Sequence, residues 1–169
     1  MCAEGILDRF IMNMPPQERT NWVPISLDTL SSISGRELLI EHLGHWPTFE
    51  DFEVLSLILD RPVVSAASND LRVTFLVFDL QKAPSDPERK QGAAEFLFDD
   101  IGDLRIKGFN HQNPITGLSI VPSAPLGEQR GFRVEWGGCM VHAVGFTCSR
   151  ISVVRVVDLN PFRKVISNL

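Results

Sequence analysis

Between Leu71 and Val77 the side chains alternate one for one: Leu71, Val73, Phe75 and Val77 are separated by Arg72, Thr74 and Leu76. A period of two is the repeat of a β-strand that turns one face to a core, and it is incompatible with a helix. Phe132, Val134 and Trp136 repeat it against Arg133 and Glu135. Strand composition recurs from Val54 to Asp60, Ala93 to Phe98, Asp103 to Phe109, Ile115 to Val121, Met140 to Cys148 and Ile151 to Val157. The breaks between these segments carry Pro, Gly, Asp or Ser, and the polar loop Gln81 to Gly92 has an Ala-Pro-Ser-Asp-Pro centre that cannot join a ladder. Parallel pairs need long crossovers, so short strands in succession predict antiparallel pairing. The expected fold is α+β and β-dominated: an antiparallel curved sheet or sandwich of about eight strands, with one or two N-terminal helices packed at one end.

Helical signals are confined to the first third of the chain. Ile6, Leu7, Phe10, Ile11 and Met14 have helical spacing and predict a short amphipathic helix over residues 3–13, ended by Met14-Pro15-Pro16. Residues 17–33 have no clear period, and Trp22, Val23, Ile25, Leu27 and Leu30 suggest a packed extended segment. Ser34-Gly35-Arg36-Glu37 fits a capping box, in which Ser34 accepts from the Glu37 amide and Glu37 reaches back. A helix is expected from Gly35 to Leu43, with Leu38, Leu39 and Leu43 on its apolar face and Gly44 as its stop. At 169 residues the chain is read as one domain, with 1–33 as an extension packed on a core of 34–158. A chain of this size buries roughly 70% of its unfolded surface, so it needs no staple.

Sixteen basic against twenty-one acidic residues leave a net charge of −5 and a pI near 5.3. That balance disfavours nucleic-acid binding, which draws on a basic surface to displace counterions. Cys2, Cys139 and Cys148 are odd in number and read as reduced thiols rather than a disulfide framework. Glu4, Asp8 and Arg9 interrupt the first apolar stretch, which therefore does not read as a signal peptide, and no apolar run reaches the roughly 20 residues of a spanning helix. A cytoplasmic protein without membrane contact is expected.

Several clusters invite chemistry and fall short of it. Glu41-His42 with His45 is the nearest approach to a metal motif, but Gly44 should break the helix between the two imidazoles and no second ligand pair follows. Cys139 and His142 are three apart on an expected strand, where they point to opposite faces, so an inert buried thiol is the reading. Glu50, Asp51 and Glu53 crowd together before a strand, where solvated turn residues explain them better than an acid–base pair of unlike environments. Asn110-His111-Gln112-Asn113 can donate and accept along its length. It either buttresses a tight connection into Pro114 or forms an exposed recognition loop. No catalytic residue, metal or cofactor is expected.

Two polar islands, one around Trp46-Pro47-Thr48-Phe49-Glu50-Asp51 and one at Gly108-Phe109-Asn110-His111-Gln112-Asn113, precede the late pair Phe146-Thr147-Cys148-Ser149-Arg150-Ile151-Ser152-Val153. Together they resemble a bacterial polymorphic-toxin immunity family, the one catalogued as immunity protein fifty, over roughly residues 38–158. Glu50 stands where the family pattern has His. The resemblance implies a small protein that binds and neutralises a cognate toxin domain without catalysis. On that reading Glu50, Asp51, Asn110, His111 and Gln112 are the partner-binding candidates, and Trp46, Pro47, Phe49, Gly108, Phe109 and Asn113 shape the motif. Mild acidity suits a basic toxin. The rival readings are a small-molecule cavity lined by Phe75, Phe109 and Trp136, and a hydrolase using Glu50, Asp51 and Glu53.

Overall fold

The computed structural model describes residues 25–61, 69–109, 112–126, 129–137 and 143–160. These residues include eight strands: β1 (Glu53–Asp60), β2 (Asp70–Phe78), β3 (Gln91–Asp99), β4 (Gly102–Lys107), β5 (Gly117–Leu126), β6 (Gln129–Gly137), β7 (Ala143–Cys148) and β8 (Arg150–Asp158). Among the described residues two helices precede them, α1 (Leu27–Ser31) and α2 (Arg36–Leu43). The strands form two four-stranded antiparallel sheets, in the orders β1-β2-β3-β8 and β4-β7-β6-β5. The β-dominated α+β fold expected from the alternation is the one observed. The expected helix over 3–13 and the Cys139–His142 pair lie outside the described residues.

The alternation does what its period demands. Leu71, Val73, Phe75 and Val77 of β2 and Ala94, Phe96 and Phe98 of β3 are buried on one face. Ile120 of β5, Val134 and Trp136 of β6, and Val144 and Phe146 of β7 are buried on the other. The faces meet through edge-on rings, Phe75 against Trp136 at 5.6 Å and Phe98 against Phe146 at 5.0 Å. Offset and perpendicular aromatic pairs of this kind add about 0.5–1.5 kcal/mol each beyond the area they bury. These contacts also correct the cavity reading. Phe75 and Trp136 fill the core against each other, whereas Phe109 is 40% exposed.

The chain passes between the sheets at two places, and those two turns are tied together. Ser149, between β7 and β8, donates its N–H to the Asp99 carbonyl at 2.9 Å and its hydroxyl to Asp100 Oδ2 at 2.8 Å. Arg150 donates Nε to the Asp99 carboxylate, which is otherwise buried. Asp100 and Asp103 hold positive φ of 54° and 52° around the first crossing, a conformation that Asp tolerates better than most residues.

Two expectations at the N-terminal side are corrected. Residues 27–31 are not extended but form α1, because Ser26 caps it by accepting from Thr29 N–H at 3.2 Å. Ser34 does not cap α2. The N-cap is Gly35 at φ 68°, with no side-chain cap, and Ser34 instead pairs its backbone with β8. Its N–H reaches the Ile151 carbonyl at 3.1 Å and its carbonyl accepts from Val153 N–H at 2.8 Å. Gly35 is required there, since a Cβ would lie 2.2 Å from the Val153 carbonyl oxygen. Leu39 and Leu43 face inward as expected but Leu38 is 41% exposed. Gly44 ends the helix in the left-handed region at φ 88°, donating to Ile40 O at 2.7 Å.

Candidate contact surface

The first polar island is a core plug whose polar residues are its outer skin. After Gly44 the chain packs its apolar side chains onto the inner face of the first sheet, beside Phe75 and Phe96. Phe49 and Phe52 are 1% and 0% exposed, Pro47 is buried and Trp46 half-buried. Phe49 is the hub: its ring stands 5.6 Å from Trp46, 5.4 Å from Phe52, 5.8 Å from Phe75 and 5.9 Å from Phe96. To aim that ring inward the backbone at Phe49 adopts φ 62°, and Asp51 follows at φ 57°. For Phe this costs about 1–2 kcal/mol, which the burial of the ring offsets. The same turn leaves Glu50 and Asp51 exposed at its tip.

The second island returns to this turn. Asp51 N–H donates to the Ile115 carbonyl at 2.9 Å, Ile115 N–H to the Phe52 carbonyl at 2.8 Å, and Val54 N–H to the Asn113 carbonyl at 3.0 Å. Residues 51–54 and 113–115 thus form a short antiparallel pairing, bridged at Glu53 and Pro114. Asn113 is buried, and Gln112 is exposed just before it. Of the five partner-binding candidates, Glu50, Asp51 and Gln112 share this end of the molecule, and Asn110 and His111 lie outside the described residues. Gly108, at φ 68°, and the part-exposed Phe109 lead out of β4 toward the same connection. Phe52 and Ile115 were not singled out from sequence as part of this end. Their signal was the apolar spacing within the islands, which their polar neighbours masked.

The electrostatics at the tip are simple. Glu50, Asp51 and Glu53 form no ion pair with a described residue. Glu50 and Asp51 are both solvated, which gives them like rather than unlike surroundings and offers no acid–base division of labour. Elsewhere charge is matched. On the outer face of the first sheet Arg72 bridges Asp60 at 3.3 Å and Glu95 at 3.0 Å, and Glu95 meets Arg155 at 3.1 Å, a ladder across all four strands.

Of the histidine and cysteine candidates, His42, His45 and Cys148 lie among the described residues, and Cys139 and His142 lie outside them. His42, on α2, lies half-buried against β3, where a Cβ on Gly92 would stand 2.7 Å from its Nε2. That burial pushes its pKa below the ordinary value, opposed by Asp158. Among the described residues no three His, Cys, Asp or Glu side chains gather as a metal site would require. Cys148 is buried, and burial pushes its thiol up to about 12. Among the described residues no helix is long and apolar enough to cross a membrane.

No family model, curated protein or solved structure matches the chain.

Proposed function

We propose that the chain is a binding protein that acts by association, an immunity protein that neutralises a bacterial toxin domain. The observation that carries the reading is the backbone pairing of 51–54 with 113–115. The two islands through which the sequence resembles the immunity family are distant in the chain, yet they are joined at one end of the fold. A rigid plug of buried rings holds that end, and exposed acidic and amide side chains form its surface. Tight inhibitors need this combination of a pre-organised scaffold and a polar, complementary face. The unmatched carboxylates of Glu50 and Asp51 suit a basic partner, whose approach they accelerate.

On this reading the protein works in the cytoplasm of the cell that makes the toxin and needs no cofactor. The experiment is co-expression with the toxin domain encoded by the neighbouring gene. Restored growth and co-purification of the two chains are expected. Unrelieved toxicity in cells that contain abundant folded protein would reject the proposal.

A further inference from the structure

The connection from β2 to β3 is longer than its geometry needs. The two strands are antiparallel neighbours with Phe78 opposite Gln91, and hairpins of that kind usually close in about two to five residues. Here the chain uses twelve, residues 79–90. The ends of this loop meet, with Asp79 N–H donating to the Lys90 carbonyl at 2.9 Å. Between them the chain is ordered by its own bonds. The Asp79 carboxylate accepts Gln81 N–H at 2.9 Å, Asp86 N–H donates to the Ala83 carbonyl at 3.0 Å, and Arg89 N–H to the Asp86 carbonyl at 3.1 Å. The Asp86 carboxylate accepts Glu88 N–H at 2.8 Å, and Lys82 bridges Glu88 at 2.9 Å. Compact loops with joined ends and internal packing are Ω-loops, a class that frequently carries function.

Strand register puts this loop at the island end. Glu53 pairs with Leu76, near the end of β2, so the turn that enters β1 and the loop that leaves β2 lie at the same end of the first sheet. Aromatic contact fastens one to the other. The Phe78 ring lies 5.2 Å from Phe52, and the Arg89 guanidinium carbon stands 4.4 Å from the Phe78 ring centre while Nε donates to the Asp79 carbonyl at 3.0 Å. Phe52 belongs to the segment that pairs with 113–115, so loop and islands share one support. The bracing also decides what the loop presents. Lys82 and Glu88 are matched to each other, and Arg89 is committed to Phe78 and Asp79. Ala83, Pro84, Ser85 and Pro87 are exposed, an uncharged crest at the same end as the exposed carboxylates of Glu50 and Asp51.

We propose, resting on the immunity reading, that residues 80–89 are a second contact element for the toxin domain, their uncharged crest seating on an apolar patch that adjoins the basic residues met by Glu50 and Asp51. Protein interfaces are built in this way, with a charge-poor centre beside a charged rim. The two elements divide the work. The carboxylates of the islands steer the encounter, and the crest holds the complex, since rim charge acts chiefly on association and close packing on dissociation. The loop is ordered before the partner arrives, so docking it forfeits little conformational freedom.

Binding kinetics on the toxin domain encoded by the neighbouring gene test this with Ala83→Arg and Asn69→Arg. Both positions are exposed and both changes add one positive charge, but Asn69 precedes β2, at the opposite end of the sheet. Ala83→Arg is expected to speed dissociation about tenfold or more with the melting temperature retained, and Asn69→Arg to bind as the wild type does. Amide exchange of the wild-type complex is a second readout that needs no variant: residues 80–89 should gain protection and residues 99–103, at the far turn, should not. Wild-type kinetics in Ala83→Arg, an equal loss in Asn69→Arg, or loop amides left unprotected in a complex that forms would overturn the inference and leave the toxin partnership standing. A wild-type chain that binds no toxin would reject the partnership and this contact with it.

Discussion

Phe49 packs its ring edge-on to Phe75 at 5.8 Å while its own backbone sits at φ 62°, so the best-connected aromatic of the plug is also a strained one. The two facts are linked. The left-handed turn is what drives the ring under the sheet and leaves Glu50 and Asp51 on top. Phe49→Ala should therefore lose about 3–5 kcal/mol of stability in chemical denaturation. Trp46→Ala should lose less, because Trp46 is only half-buried. Equal midpoints for both variants and the wild type would show that the plug does not hold this end together.

Gly35 gives a second test of how the helix is attached. Its φ of 68° and the 2.2 Å that would separate an added Cβ from the Val153 carbonyl oxygen leave no room for a side chain. Gly35→Ala is expected to destabilise by more than the about 1–2 kcal/mol of the left-handed penalty, since the Ser34 pairing with β8 must open as well. Amide exchange at Val153, whose N–H is bonded to Ser34, should accelerate in this variant.

His42 sets a pH dependence. Its folded pKa is lowered by burial, so the unfolded chain binds the proton more readily. Its contribution to stability is complete above the unfolded value of about 6.5 and is lost as pH falls through the window down to the folded value. Melting temperature should drop on going from neutral pH to below about 6 by more in the wild type than in His42→Leu. Parallel profiles would contradict this.

Much of this fold was legible in the sequence, and the misreadings have physical causes. The strands of β2, β3 and β6 announced themselves because one face is dry and the other wet, which is the condition that produces strict alternation. What alternation cannot encode is pairing, so the return of β8 to lie beside β3, and the division into two sheets, became visible only in three dimensions. Ser34 illustrates a local signal overridden by a distant one: its hydroxyl suited a cap, but its backbone was claimed by β8. Trp46 and Phe49 read from sequence as shaping the first island, but how its rings part from its carboxylates did not. A single left-handed residue at Phe49 sorts the rings of that segment from its carboxylates, and periodicity does not reveal it. In sequence terms, strand entry at Asp51 and strand exit at Phe109 allow both islands to reach one sheet end, and the hydrogen bonds between 51–54 and 113–115 make the meeting specific.

Cys148 should be chemically silent in the folded state. With its thiol held up to about 12 by burial, alkylation at mildly alkaline pH should be slow until denaturant is added. Peptide mapping after a short iodoacetamide pulse would show this site unmodified in native protein and modified in urea. Rapid native labelling of Cys148 would contradict its place in the core.

If the paired islands form the face that meets a toxin, the most direct measurement is association kinetics. The immobilised toxin domain is challenged with wild-type, Glu50→Lys and Gln112→Ala proteins, each checked for an unchanged melting temperature. Glu50 is an exposed rim charge, so its reversal should slow association by about tenfold at low salt and leave dissociation nearly unchanged. Gln112→Ala should instead speed dissociation. Folded variants that bind with wild-type rates and affinity would take both islands out of the interface and contradict the proposed role.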